Sequence, residues 1–253
     1  MKIIAVIPAR LQSTRFPRKI LADIQGKPML WHVWNRTKKA KDLYDVFVAT
    51  DSDEVFSIVT EWGGKAIMTN PECASGTERI ASIIDQLDAD WVFNVQGDEP
   101  FISFNMIDQM VHECQQDKAD LITAVYPLSN NDDLLNPNIV KVVRTKNGLA
   151  LYFSRSPIPY ARDTSPDGWL QNGVYWGHIG IYAYRREILT HYNDLLPGSL
   201  EAVEKLEQLR FLEAGMQFQT IVTQYRSIAV DTPADLEVVR KLAAQGDYYE
   251  YST

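Results

Sequence analysis

The chain has 253 residues, 45% hydrophobic and 23% charged, which suits one large α/β domain and excludes a disordered chain. Its formal net charge of −8 excludes a general nucleic-acid binder, whose footprint is a basic excess, so cations that do cluster carry information. Two cysteines, Cys73 and Cys114, are too few for a disulfide framework and wrongly patterned for zinc. No segment reads as a signal peptide or a membrane span, so a reducing, cytoplasmic setting without membrane insertion is expected.

A short apolar run over 3–7 predicts a strand buried on both faces, followed by a polar loop over 8–19. A helix is expected over 29–40, entered through Pro28. Strands follow over 45–49, 65–68 and 91–95, with helices over 53–62, stopped by Gly63-Gly64, and over 77–87. This alternation predicts βαβ units and a mostly parallel, doubly wound sheet whose ligands bind beyond the carboxyl ends of the strands. The loops over 8–19 and 96–100 should therefore adjoin. From about residue 117 the pattern changes: strands are expected over 120–126, 140–143, 150–153, 177–184 and 218–222, and helices over 200–213 and 234–244. The loop over 157–175 is rich in Pro, Gly, Asp and aromatic residues. The whole, residues 1–253, reads as one domain with an inserted lobe near 125–180.

Two features suggest chemistry. The loop after the first strand gathers Arg10, Arg15, Arg18 and Lys19 with the hydroxyls of Ser13 and Thr14. Arg offers paired donors to phosphate and Lys a point charge, so this loop could surround a triphosphate; the bland alternative is a solvated loop. It lacks the Gly-x-x-x-x-Gly-Lys-Ser/Thr spacing of a Walker A loop. After the fourth strand, Gly97 permits a sharp turn into Asp98 and Glu99. A carboxylate facing a phosphate loop calls for Mg²⁺, which takes one or two carboxylates together with substrate oxygens. Asp231 is the second candidate, although Asp231-Thr232-Pro233 equally suits the N-cap of the last helix, and spacing alone does not decide.

Eight ordered blocks then resemble the bacterial CMP-Kdo synthetases (Kdo is 3-deoxy-manno-octulosonate). They are I-P-A-R-x-x-S-T-R-x-P-x-K at 7–19, V-A-T-D at 48–51, S-G-T-E-R at 75–79, N-V-Q-G-D-E-P at 94–100, A-L-Y-F-S-R at 150–155, H-I-G-I-Y at 178–182, L-E-Q-L-R at 206–210 and V-D-T-P at 230–233. The resemblance runs from residue 3 to about 240. It implies a Rossmann-like nucleotidyltransferase fold, a homodimer formed through the inserted lobe, and two Mg²⁺ ions. By position, Arg10, Ser13, Arg15 and Lys19 would bind the CTP triphosphate, with Lys19, Arg15 and Asp98 central to catalysis. Asp98 and Asp231 would hold the metal, and Ser75 and Gly76 would lie near the cytosine. Arg79, Gln96, His178, Tyr182, Glu207 and Gln208 would face the sugar acid. The implied reaction is attack of the anomeric hydroxyl on the α-phosphorus, giving CMP-Kdo for lipopolysaccharide synthesis and pyrophosphate.

The chain departs from that pattern at Cys73, where many members carry His, and over 199–205. A branch that activates an 8-amino analogue of Kdo also lacks that His, and Glu72 or Glu204 could meet its amine. Cys73 itself reads as a small buried filler, with no partner base to make it a nucleophile. A nucleotide-sugar glycosyltransferase would carry Asp-x-Asp where this chain has Asp98-Glu99. A CMP-sialate synthetase fits the sugar-side blocks less well, and a non-catalytic nucleotide-binding protein would be free to lose Lys19, Asp98 or Asp231.

Overall fold

The computed structural model describes residues 1–12, 16–226 and 228–246. In chain order its main elements are β1 (Ile3–Ala9), α1 (Met29–Thr37), β2 (Asp45–Thr50), α2 (Asp53–Glu61), β3 (Lys65–Met68), α3 (Gly76–Ala81), β4 (Trp91–Asn94) and α4 (Phe104–Gln115). There follow β5 (Leu121–Pro127), β6 (Lys141–Arg144), β7 (Ala150–Ser154), β8 (Trp176–Arg185), α5 (Gln208–Glu213), β9 (Phe218–Val222) and α6 (Pro233–Gln245). The main sheet runs β9-β5-β8-β4-β1-β2-β3. Its pairs are parallel except those of β8, which is antiparallel to both β4 and β5. No helix among the described residues is long and apolar enough to cross a membrane.

The side-chain alternation of β1 shows why the sheet is covered on both faces. Ile3, Ala5, Ile7 and Ala9 enter one core with Leu30 and Val33 of α1 and Val55 and Val59 of α2. Ile4 and Val6 enter the opposite core with Ile80 of α3 and Leu209 and Phe211 of α5. A third, smaller cluster packs Val230 and the α6 residues Leu236 and Val239 against Ile24, Met29 and Phe101, which seats α6 beside the turn that follows β4.

The interval 125–180, expected as an insertion, begins and ends in sheet strands, β5 and β8. Between them lies the antiparallel β6–β7 hairpin, attached to the main sheet where β6 meets Trp176 and Gly177. The register of β8 against β5 shifts between Ile179 and Tyr182; before that bulge β8 also borders β6, and after it β4.

Three helix expectations change. Helix α4 was not foreseen; Ser103 caps it by accepting from the Met106 amide at 3.3 Å, and Met106, Ile107, Met110, Val111 and Cys114 form its buried stripe. The expected helix over 77–87 stops after Ala81, where the Ser82 hydroxyl donates back to the Arg79 carbonyl at 2.8 Å, and resumes as a 3-10 turn at Ile84–Gln86. The expected helix over 200–213 is two helices, Ser199–Glu204 and α5, broken where Lys205 takes a left-handed φ of 54°. The break is held from outside: Arg155 Nε donates to the Glu204 carbonyl at 2.8 Å, drawing the helix end to the hairpin.

Candidate active site

The loops after β1 and β4 adjoin, as the sheet register requires: the Val95 amide donates to the Val6 carbonyl at 3.1 Å, and a Cβ on Gly97 would stand 2.9 Å from the Pro8 carbonyl oxygen. Only glycine permits that approach without displacing backbone. It delivers Asp98 to the side of the loop after β1, where Lys19 opens a 3-10 turn. Lys19 Nζ donates to Asp98 Oδ2 at 2.7 Å and to Asp231 Oδ1 at 3.2 Å, so one ammonium joins residues 79 and 212 positions away. The Val230 amide bonds the Asp98 carbonyl at 2.9 Å, fastening the same two segments through their backbones.

The last helix explains why the Asp231 carboxylate reaches this point. Its N-cap is Thr232, whose hydroxyl accepts from the Asp235 amide at 3.3 Å. Asp235 in turn accepts from the amides of Asp231 and Thr232 at 3.0 and 2.8 Å. The capping box is complete without the Asp231 side chain, so Thr232 and not Asp231 is the N-cap of the last helix.

A cavity of about 190 Å³ gathers Arg10, Lys19, Ser75, Gly76, Arg79, Gln96, Asp98 and Asp231, with Cys73 in its wall. Ser13 and Arg15 lie outside the described residues. Ser75 caps α3 by accepting from the Glu78 amide at 3.1 Å, and a Cβ on the adjacent Gly76 would come within 3.0 Å of the Pro8 ring. Arg79 is buried, its guanidinium held 2.9 Å from Asp51 Oδ2 and hydrogen-bonded to the Thr69 hydroxyl. Asp51, which closes the V-A-T-D block, thus holds a site residue although no role was expected of it. Its position just beyond β2, at the same edge as Asp98, was the available signal.

His178, Tyr182, Glu207 and Gln208 are joined to one another and to the cavity wall, but they are not lining residues of the cavity. His178 Nε2 lies 3.0 Å from the Thr123 hydroxyl and its ring meets Phe153 edge-on at 4.9 Å; burial pushes its pKa down to about 3, so it is neutral. Tyr182 donates to Gln208 Oε1 at 3.2 Å, and burial pushes its phenol up. Glu207 accepts three hydroxyls, from Ser75 at 2.5 Å, Tyr192 at 2.6 Å and Thr77 at 3.0 Å. Thr77 also receives Asn94 Nδ2 at 3.2 Å, and Asn94 Oδ1 accepts from Gln96 Nε2 at 2.9 Å. Tyr192, Thr77 and Asn94 had no role in the sequence reading. Their partners lie far apart in the chain, so only Asn94 carried a hint, as a polar residue ending a buried strand.

Around the departures from the family pattern, Cys73 is 9% exposed with Sγ 3.9 Å from the Ser82 hydroxyl, and Glu72 is exposed. Glu204 accepts from the Ser154 hydroxyl at 2.6 Å and the Arg155 amide at 2.9 Å, so its carboxylate serves the hairpin.

Two carboxylates close enough to share one ammonium provide hard oxygen ligands around a place that already accepts a positive charge. No group of three or more His, Cys, Asp or Glu side chains suited to a metal occurs among the described residues. A pair of carboxylates completed by substrate oxygens is the usual environment of Mg²⁺, so the residues fit that ion better than a closed transition-metal site.

Comparison with known proteins gives the family. A family model described as Cytidylyltransferase matches residues 4–228. The 3-deoxy-manno-octulosonate cytidylyltransferase of Thermodesulfovibrio yellowstonii is 46% identical over 249 residues, covering 95% of this chain and 98% of its own. That of Geotalea uraniireducens is 45% identical over 247 residues, covering 94% and 98%. A solved structure of CMP:2-keto-3-deoxy-manno-octonic acid synthetase complexed with CTP superposes with a TM-score of 0.91 at 41% identity, covering 97% of this chain and 100% of that one. The chain therefore belongs to the 3-deoxy-manno-octulosonate cytidylyltransferase family.

Proposed function

We propose that the chain transfers CMP from CTP to 3-deoxy-manno-octulosonate, releasing pyrophosphate, and that it requires Mg²⁺. The observation that carries this reading is the convergence of Lys19, Asp98 and Asp231 at the carboxyl edge of the sheet, beside the loop that holds Arg10. Lys19 and Arg10 would neutralise charge developing on the departing pyrophosphate. Ser75 and Gly76, which line the cavity, would lie beside the nucleoside, and the Gln96 side of the cavity would receive the sugar acid. Holding the anomeric hydroxyl in line with the α-phosphorus supplies much of the rate. Asp98 and Asp231 would hold Mg²⁺, which when bound polarises phosphoryl oxygens and stabilises their charge.

The product would feed lipopolysaccharide synthesis, and the enzyme would work in the cytoplasm as a homodimer. Support for the dimer comes from apolar exposure at the hairpin: Leu151 of β7 is 62% exposed, and Val203, beside the Glu204 that grips the hairpin, is 83% exposed. The sugar is favoured as Kdo rather than its 8-amino analogue, because the Glu204 carboxylate is engaged by Ser154 and Arg155.

The test is a pyrophosphate-release assay with CTP, Mg²⁺ and a panel of Kdo, 8-amino-Kdo and sialic acid. Release is expected with Kdo; release with none of the three refutes the synthetase reading, and release with the amino sugar alone moves the chain to that branch. Asp98→Asn should abolish turnover while leaving the thermal transition cooperative, and near-normal turnover would remove the metal role assigned to Asp98.

A further inference from the structure

Beyond the groups that line the cavity, a chain of hydrogen bonds runs behind its wall and has a defined direction. Glu207, as a carboxylate, can only accept, so the single proton of the Thr77 hydroxyl is directed to Glu207 Oε2 at 3.0 Å. Thr77 Oγ1 is then an acceptor for everything else it meets. It takes the Asn94 amino group at 3.2 Å, with the Tyr184 hydroxyl at 3.4 Å able to act only as a second donor. With its amino group on Thr77, Asn94 must turn its carbonyl toward Gln96, whose amino group donates to it at 2.9 Å. The Gln96 Oε1 is left without a hydrogen bond among the described residues, on a side chain that lines the cavity. Thr77 and Asn94 are fully buried, so water does not compete for these bonds.

We propose that Thr77 and Asn94 are positioning residues that carry the polarity of Glu207 to Gln96. The Gln96 amide then meets the sugar with its carbonyl oxygen and admits a hydroxyl there, not the carboxylate. Reversing any one amide would put two donors, or two acceptors, face to face in the chain. An acidic sugar placed with its carboxylate at Gln96 would meet a second acceptor, so the relay decides which way round the sugar lies. This inference rests on the sugar-acid reading of the cleft, and its first measurement is independent of that reading.

In ligand-free protein labelled with ¹⁵N-glutamine, the Gln96 side-chain signal is identified by its loss in Gln96→Met. Its amino protons should exchange at least about tenfold more slowly than those of an exposed glutamine. Exchange as fast as at an exposed glutamine in the unaltered protein overturns the proposal, whether or not any variant folds. Thr77→Val, which keeps the shape and removes the hydroxyl, should lose the protection, and Thr77→Ser should keep it. In steady-state assays Thr77→Val should raise the KM for the sugar acid about tenfold and move the KM for CTP less than about twofold, with Thr77→Ser close to the unaltered protein. An unchanged sugar KM in Thr77→Val, or equal losses in both variants and both substrates, overturns the relay. A failure of the unaltered protein to turn over any sugar acid would instead count against the proposed function, and the exchange result would still decide the relay.

Discussion

Replacing Lys19 by Met removes an ammonium that Asp98 and Asp231 share, and so reduces the positive charge between their carboxylates. Lys19 is 12% exposed, Asp98 26% and Asp231 43%, so the cluster lies between a surface and a buried ion pair. At an effective dielectric of about 20, contacts at 2.7 and 3.2 Å have gross Coulomb energies of roughly 6 and 5 kcal/mol, most of it offset by desolvation. Breaking a buried pair costs about 3–5 kcal/mol and a surface pair at most about 1; the half-open position of Asp231 argues for a loss near 2 kcal/mol. For a domain of this size that is a fall in Tm of about 5 °C, measured by circular dichroism in chelator-treated buffer. The second half of the experiment is more discriminating. Without nucleotide, millimolar Mg²⁺ should raise the Tm of Lys19→Met by several degrees, since a divalent ion takes the place of the ammonium, and should move the unaltered protein little. Equal Tm values for the two proteins, or equal responses to Mg²⁺, would refute the reasoning that Lys19 holds the carboxylate pair.

Burial lowers the pKa of His178 from its ordinary 6.5 to about 3, so between those values the unfolded chain is protonated there and the folded chain is not. Stability from this group is complete above about pH 6.5 and is lost as pH falls, by roughly 1.4 kcal/mol per unit or about 2 kcal/mol at pH 5. His178→Gln should show a correspondingly shallower fall in urea-unfolding free energy between pH 7 and 5, and parallel profiles would count against it. Gly97→Ala forces a Cβ to 2.9 Å from the Pro8 carbonyl oxygen, so the loop must shift. Its expected cost is about 1–3 kcal/mol and at least a tenfold loss of pyrophosphate release, and a variant with unaltered rate would show the close approach to be dispensable. Cys114 is fully buried and burial pushes its thiol up, whereas Cys73 lines the cavity. A disulfide thiol reagent should therefore label Cys73 alone in the native protein, more slowly with CTP present; mass spectrometry finding label on Cys114 first would contradict this.

The parts legible in the sequence are those decided by neighbours along the chain. The continuous apolar run over 3–7, apolar at every position because both faces are covered, identified a central parallel strand. The cationic loop after it and the Gly97-Asp98 turn after β4 followed from the rule that parallel strands end at one edge. Helix α4 was equally readable, from the Ser103 cap and the stripe Met106, Ile107, Met110, Val111, and was overlooked rather than hidden.

Other features depend on bonds between distant residues, for which no local pattern exists. Lys205 breaks an otherwise continuous helical stretch because Arg155, 50 positions earlier, captures the Glu204 carbonyl. The Asp231 carboxylate pairs with Lys19 instead of capping the helix, because Thr232 and Asp235 complete the cap between them. Arg79 is held by Asp51, and Glu207 takes three hydroxyls from residues 130, 132 and 15 positions away. Period, turn chemistry and strand order thus determined the scaffold and the edge at which chemistry occurs. The tertiary structure alone decided which carboxylate meets which cation and how each amide is turned, because buried polar groups take whichever partner the fold brings within 3 Å.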